Sequence, residues 1–137
     1  MSFASPVDTT TPEPPAQRLQ AVRERIAQAE QENERPLNSV TLLAVSKTFP
    51  LSAVDAVAVI GQRAFGENYA QEGVDKASQR PDLEWHFIGP IQSNKTRGIA
   101  EHFTWVHTID RLKIAERLSA QRPAELTAVP YQVWCLR

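Results

Sequence analysis

The sequence predicts an α/β fold built on a parallel sheet. Short apolar runs that are typical of buried strands alternate with segments of helical periodicity, and Gly, Pro or a potential capping residue separates them. Strands that alternate with helices are joined by right-handed crossovers, so a barrel and a doubly wound sheet are both candidates. The pattern alone does not choose between these two.

The first predicted element is a helix over Gln17–Glu32. Four apolar residues in it recur at spacings of three and four, namely Leu19, Val22, Ile26 and Ala29. This spacing places them on one face of the helix, which we expect to be buried. Residues 1–15 are rich in Thr and Pro and lack the basic start and apolar run of a secretion signal. We therefore predict a disordered tail over 1–15 and one domain over 16–137.

The first strand is predicted over Val40–Val45, an apolar run with β-branched members that is typical of a strand covered on both faces. A helix that carries Leu51, Val54 and Val57 follows, with Ser52 as its cap and Gly61 as its stop. The second strand is predicted over Arg63–Phe65. These elements form the first repeat of the strand and helix pattern.

The next helix is predicted over Tyr69–Ala77, with Asn68 as its N-cap, and it leads to a strand over Glu84–Ile88 that closes at Gly89. Ser93 opens the helix after that strand. Asn68 and Ser93 thus each follow a predicted strand and precede a predicted helix.

A fourth strand is predicted over Thr104–His107, and Asp110 is the predicted N-cap of the helix that follows. The last strand-like run covers Val129–Cys135, so the chain ends within its fifth strand. A barrel of eight units needs at least about 200 residues. If the fold is a barrel, these 137 residues hold about its first half.

Charge and cysteine usage exclude several classes of protein. The 15 Lys and Arg residues nearly balance the 16 Asp and Glu residues, which gives no field that attracts nucleic acid or a membrane surface. The single Cys135 forms no internal disulfide, and no apolar run approaches the roughly 20 residues that cross a bilayer. Three widely spaced histidines do not match a zinc pattern. We expect a cytoplasmic protein that binds a small molecule and no metal.

Lys47 is the main candidate for chemistry. It follows Leu42–Val45 and Ser46 at the carboxyl end of the first predicted strand, where ligands collect in parallel α/β folds. A lysine held there loses part of its hydration, and the resulting neutral amine can attack an aldehyde, as in the attachment of pyridoxal phosphate. The alternative interpretation is a structural lysine whose charged end extends into solvent.

Other polar residues follow strands in the same way and are predicted to form one rim with Lys47. They are Asn68, Gln92, Ser93, Asn94, Thr108 and Asp110. Helix capping explains Asn68 as well as a site role does, and it is the preferred explanation for Ser93 and Asp110. For His86 we prefer a neutral, hydrogen-bonded structural histidine to a catalytic one.

Four sequence blocks carry a resemblance to a known family. They are AVSKTFP at 44–50, FGENYAQE at 65–72, WHFIGPIQSNK at 85–95 and HTIDR at 107–111. In this order they closely resemble the pyridoxal phosphate homeostasis protein family. The likeness runs from about Gln17 to about Leu126 and covers the N-terminal part of the family's usual length.

The resemblance implies a barrel like the N-terminal domain of alanine racemase, in a cytoplasmic and usually monomeric protein. It implies that Lys47 holds pyridoxal phosphate as a Schiff base, that Asn68 lies near the cofactor ring, and that His86 lines the same cavity. Members of the family are regarded as carriers or regulators in the intracellular homeostasis of vitamin B6 and amino acids. They have no established turnover reaction, so the resemblance does not imply an enzyme.

Two alternatives remain open. One is an amino-acid racemase of the same fold, which needs a base on each face of the substrate carbon; Tyr69 and Tyr131 are available, but neither has a recognisable setting. The other is a non-functional fragment, because the family's phosphate-binding residues lie beyond Arg137, as in barrels whose last loops bind phosphate. Unpaired strand edges in such a fragment favour self-association.

Overall fold

The computed structural model describes residues 14–126 and 132–133. The described chain forms two compact units, one up to Thr41 and one from Leu42 onward. The tail predicted over 1–15 lies almost wholly outside the described residues, and the domain boundary at residue 16 stays a prediction. Among the described helices, none combines the length and the apolar character that crossing a bilayer requires.

The first unit is organised around helix α1 (Pro15–Glu32), which confirms the predicted helix. The expectation that its apolar face is buried is wrong for most of that face: Leu19 is buried, but Val22 is 40% exposed. The other buried residue of the helix is Glu30, whose carboxylate accepts hydrogen bonds from Val40 N at 3.0 Å and Ser39 Oγ at 3.2 Å. The bond from Val40 N contributes most, and together these bonds hold the pKa of Glu30 below its usual range.

The second unit is an α/β layer structure. Its strands are β1 (Ala44–Val45), β2 (Ala64–Glu67), β3 (Glu84–Phe87), β4 (Trp105–Val106) and β5 (Gln132–Val133). Its helices are α2 (Leu51–Ala58), α3 (Ala70–Gln79), α4 (Thr96–His102) and α5 (Leu112–Gln121), with 3₁₀ turns at Ser93–Lys95 and Ala124–Leu126. The helix that was predicted to stop at Gly61 ends earlier, at Ala58, and Gly61, at φ 103°, lies in the turn that follows it.

The strand order selects the barrel class. Each strand pairs in parallel with the next one along the chain, in the order β1-β2-β3-β4-β5. A doubly wound sheet reverses direction at a switch point, whereas right-handed crossovers between successive neighbours place every helix on one face, as in a (β/α) barrel. The predicted α/β class and parallel sheet are confirmed.

β1 is shorter and more exposed than the predicted strand at Val40–Val45. Only Ala44 and Val45 pair with β2, and Val45 is 47% exposed. The physical reason lies in its partner across the ladder, which is Gly66 and has no side chain to cover it. The prediction of a strand covered on both faces is therefore wrong for β1.

The core lies between the sheet and the helices. Phe65, Trp85 and Phe87 are each 1% exposed, and the ring of Phe87 meets edge-on the ring of Phe103, which directly follows α4, with the ring centroids 5.3 Å apart. Side chains alternate along a strand, so the residues between these project from the opposite face. We call this the inner face; its adjacent register positions are Val45, Gly66, His86 and Trp105.

Candidate functional site

Lys47 lies in a tight turn directly after β1. The hydrogen bond from Ser46 N to Gly66 O (3.0 Å) continues the ladder by one residue, and Thr48 then takes a left-handed backbone conformation at φ 67°. This region is unfavourable for a β-branched residue. The Lys47 side chain is exposed, so the expectation that it is partly dehydrated is wrong for the described residues, because the turn carries it beyond the last strand pair.

The structure separates Lys47 from the other lysine near this turn. Lys76 is buried and its Nζ donates to Ser46 O at 2.9 Å, Glu67 Oε1 at 2.6 Å and Glu72 Oε1 at 2.9 Å. An ammonium has three N–H groups, so all of them are used and no lone pair is available for attack on an aldehyde. In the part of the chain that the structure describes, no hydrogen bond or ion pair engages the Lys47 amine.

Asn68 occupies the strand end beside Lys47, since each lies two residues beyond the register pair Val45 and Gly66. The prediction that Asn68 caps α3 is wrong: the N-cap is Tyr69, and no side chain bonds there. Asn68 Oδ1 is instead buried and has no hydrogen-bond partner among the described residues. A buried acceptor without a partner costs about 1–3 kcal/mol, so this atom indicates a donor that the described residues do not supply.

The remaining predicted caps are also wrong. The N-caps of α2, of the 3₁₀ turn before α4 and of α5 are Pro50, Gln92 and Arg111, and none makes a side-chain capping bond. The helices begin one or two residues away from Ser52 and Asp110, while Ser93 begins the 3₁₀ turn itself. Local composition identifies residues that can cap, but packing sets the residue at which the helix begins.

Three loops of the predicted rim are joined, two by close backbone packing and the third by a side-chain hydrogen bond. A Cβ on Gly89 would overlap the carbonyl oxygen of Asn68 and lie 2.8 Å from its Cα, so the loop after β3 presses against the loop after β2. Thr108, after β4, donates its hydroxyl to Gly89 O. Asn68, Gly89 and Thr108 thus form a rigid part of the rim.

The other predicted rim residues do not join this group. Gln92, Asn94 and Asp110 are exposed, and none makes a described hydrogen bond to Asn68 or Thr108. Asp110 Oδ1 instead lies 3.7 Å from Nε of the neighbouring Arg111. The prediction of one shared rim is confirmed for part of its residues only.

A hydrogen-bonded chain of titratable side chains lies on the inner face below this rim. Glu84 Oε1 is 2.7 Å from His86 Nε2, and His86 Nδ1 is 2.9 Å from His107 Nε2. An ionised carboxylate only accepts, so the network assigns donation from His86 Nε2 to Glu84 and from His107 Nε2 to His86 Nδ1. The Trp105 ring stacks on both imidazoles, with centroids 5.5 Å and 6.0 Å away.

These contacts match the neutral, hydrogen-bonded histidine that we preferred for His86. They also reveal His107, which our reasoning from sequence considered only as a metal ligand. Its position was available from the alternation rule, because His107 follows Trp105, the register partner of His86, by two residues. It therefore occupies the same edge of the sheet as Lys47 and Asn68.

Comparison with known proteins identifies the relatives of this chain. No family model matches it. The pyridoxal phosphate homeostasis protein of Escherichia coli K12 is 57% identical over 116 residues, which cover 81% of this chain and 50% of the relative. The chain is homologous to the pyridoxal phosphate homeostasis proteins. The Vibrio cholerae homeostasis protein is 56% identical over 123 residues, covering 85% and 51%; the chain thus spans about half the length of these relatives.

Solved structures of related proteins confirm the fold. PipY of Synechococcus elongatus with PLP bound is 42% identical, with a TM-score of 0.59 over 73% of this chain and 47% of PipY. A protein from Bifidobacterium adolescentis that is described as unknown is 25% identical, with a TM-score of 0.74 over 95% of this chain and 57% of that protein. The expected resemblance to the homeostasis-protein family is confirmed.

The histidine pair in this homologue of the homeostasis proteins predicts a stability change near neutral pH. Burial lowers the pKa of His86 against the opposing effect of Glu84, and burial and then the charge of His86 lower the pKa of His107, both from 6.5. The unfolded chain therefore binds more protons than the folded chain below pH 6.5, and stability falls as pH drops. Urea unfolding between about pH 7.5 and 5 should show this loss.

The double variant His86→Gln and His107→Gln should flatten that pH dependence. His102→Gln is the matched control, because His102 lies on α4 outside the chain of hydrogen bonds. If the free energy of unfolding falls equally steeply with decreasing pH in the double variant and in the unsubstituted protein, the pH dependence does not come from this pair.

Proposed function

We propose that this chain takes part in the intracellular homeostasis of pyridoxal phosphate and amino acids, with Lys47 as the residue that holds the cofactor. One observation carries the proposal: Lys47, whose amine no described residue engages, follows β1 at the register position next to Asn68, whose buried Oδ1 has no hydrogen-bond partner among the described residues. The names of the relatives and the PLP bound to PipY support the choice of ligand.

The residues at the edge fit the chemistry of this cofactor. When bound, pyridoxal phosphate supplies an aldehyde that condenses with an amine, and it carries polar ring substituents. Lys47 supplies the amine, and its exposure in the described residues leaves it open to the aldehyde. Asn68 supplies a buried acceptor for a donor group of the ligand. His86, whose ring stacks on that of Trp105, lies on the same inner face, one register row before Lys47 and Asn68.

We propose a cofactor carrier or regulator rather than an enzyme, in a cytoplasmic setting. A racemase of the same fold needs two bases that flank the substrate carbon. Tyr69 is 61% exposed at the N-cap of α3, and Tyr131 lies outside the described residues. Incorporation of solvent deuterium into alanine, with its enantiomers separated, tests for racemase turnover, and we expect none.

Attachment of the cofactor at Lys47 is a direct test. We expect incubation with pyridoxal phosphate followed by borohydride reduction to add one pyridoxyl group, which is the mass of the cofactor less the water lost on condensation plus the two hydrogens that borohydride supplies. Peptide mapping should assign this adduct to Lys47. The Lys47→Ala variant should lose this adduct. Lys95→Ala is the matched control, because Lys95 is exposed in the turn after β3 and should not affect attachment. An unchanged adduct in Lys47→Ala would refute the proposed anchor.

A further inference from the structure

A buried charged cluster, formed by Glu67, Lys76 and Glu72, lies on the helix side of the sheet. Lys76 Nζ is 2.6 Å from Glu67 Oε1 and 2.9 Å from Glu72 Oε1. The Glu67 side chain is 0% exposed, that of Lys76 7% and that of Glu72 32%. Desolvating such charges is costly, so a cluster of this kind is not explained by stability alone.

The outer hydrogen bonds of the cluster converge on the turn that carries Lys47. Lys76 Nζ donates to Ser46 O at 2.9 Å, and Ser46 Oγ donates to Glu67 Oε1 at 2.9 Å. On the other side of Lys47, Thr48 N donates to Glu72 Oε1 at 2.9 Å. Both neighbours of Lys47 are therefore tied to the cluster, while the Lys47 amine takes no part in it.

The conformation of the turn explains why this support matters. Thr48 has φ 67°, which is sparsely populated for a β-branched residue, and such a conformation persists only where the surroundings determine it. Phe49 N closes the turn by donating to Ser46 O at 3.0 Å. The bond to Glu72 lies at the strained residue itself.

We propose that Glu67, Lys76 and Glu72 are positioning residues for Lys47. They fix the backbone on either side of Lys47 from the helix side of the sheet, and they leave its amine free to react. A cluster that only joined α3 to β2 would need the Glu67 and Lys76 pair alone, whereas the bonds to Ser46 O and Thr48 N extend to the turn after β1. This inference rests on the proposed role of Lys47.

The variant Glu72→Ala tests the inference without removing the buried pair. It deletes the acceptor for Thr48 N while Lys76 keeps its bond to Glu67. We expect hydrogen exchange at the Thr48 amide to become about tenfold faster, because a bond to a charged acceptor is lost. Attachment of pyridoxal phosphate to Lys47 should slow by a similar factor, about tenfold.

Two further variants separate positioning from charge. Asp75→Ala removes from the same helix an exposed carboxylate whose Oδ1 accepts a hydrogen bond from Gln71 at 3.0 Å, and it should leave both rates unchanged. Glu72→Gln keeps an oxygen acceptor for Thr48 N and should restore most of the protection from exchange.

The outcomes distinguish this inference from the proposed function. Equal exchange at Thr48, or equal attachment rates, in Glu72→Ala and the unsubstituted chain would overturn the inference and leave Lys47 as the anchor. Absence of any adduct at Lys47 in the unsubstituted chain would overturn the proposed function, and the inference with it. Slower attachment and faster exchange in Glu72→Ala, with Asp75→Ala unchanged, supports both.

Discussion

Replacing Lys76 with Met is expected to lower the free energy of unfolding by about 3–5 kcal/mol, since it leaves a buried charge without its partner. Glu67 is fully buried, and its Oε2 already has no hydrogen-bond partner among the described residues. In the variant, the Ser46 hydroxyl would be the one donor to Oε1 that remains among residues 14–126. The effect comes from the desolvated carboxylate that remains rather than from the lost packing of the lysine side chain.

Urea unfolding measures this effect directly. Lys113→Met is the matched control, because Lys113 is exposed on α5 and its replacement should change the free energy by less than about 0.5 kcal/mol. The double variant Lys76→Met and Glu67→Leu should lose less stability than Lys76→Met alone, because both charges are then removed. Equal unfolding curves for Lys76→Met and Lys113→Met would contradict the prediction, because they would show that the buried Glu67 carboxylate does not need Lys76 as its partner.

Replacing Gly89 with Ala is expected to lower the free energy of unfolding by about 1–3 kcal/mol, because the loop after β3 must move to make room for the added methyl group. The added Cβ would overlap backbone atoms of Asn68, which directly follows β2, and backbone atoms cannot rotate away as a side chain does. The hydroxyl of Thr108 bonds to the carbonyl of Gly89, so a shift would also disturb the loop after β4. We expect lower stability together with weaker attachment of the cofactor at Lys47.

Gly66→Ala is the control for Gly89→Ala. The three atoms nearest to its Cβ would belong to side chains, namely Ile88 Cδ1 at 3.1 Å and Leu43 Cδ2 and Cγ at 3.5 and 3.6 Å, and these can shift by a few tenths of an ångström. The free energy of unfolding should change by less than about 1 kcal/mol. If the two alanine variants unfold at the same urea concentration, the close packing of Gly89 on Asn68 is not a constraint on the fold.

The outcome of each prediction from sequence depended on the range of the interactions involved. The helix over Gln17–Glu32 and the alternation of strands with helices follow from periodicities within a few residues, and both are confirmed. The cap at Asn68 failed because α3 begins at Ala70, one residue later than a cap there requires. Capping composition is a local property, but the start of a helix is set by its packing on the sheet.

The sequence by itself determined the class of fold and the position of Lys47 in it. An apolar run before Lys47 and the strand and helix rhythm are sufficient to place a lysine at the carboxyl end of the first strand. The four sequence blocks were sufficient for the likeness to the homeostasis proteins, which the relatives confirm.

Only the tertiary structure decided the order of the strands and the partners of the buried polar groups. Glu67 and Lys76 lie nine residues apart and both contact the turn after β1, about twenty to thirty positions earlier in the chain. His86 and His107 meet across two strands, 21 residues apart. Hydrogen bonds between strands fix these registers, and no periodicity within one segment specifies which residues of another segment will lie beside it.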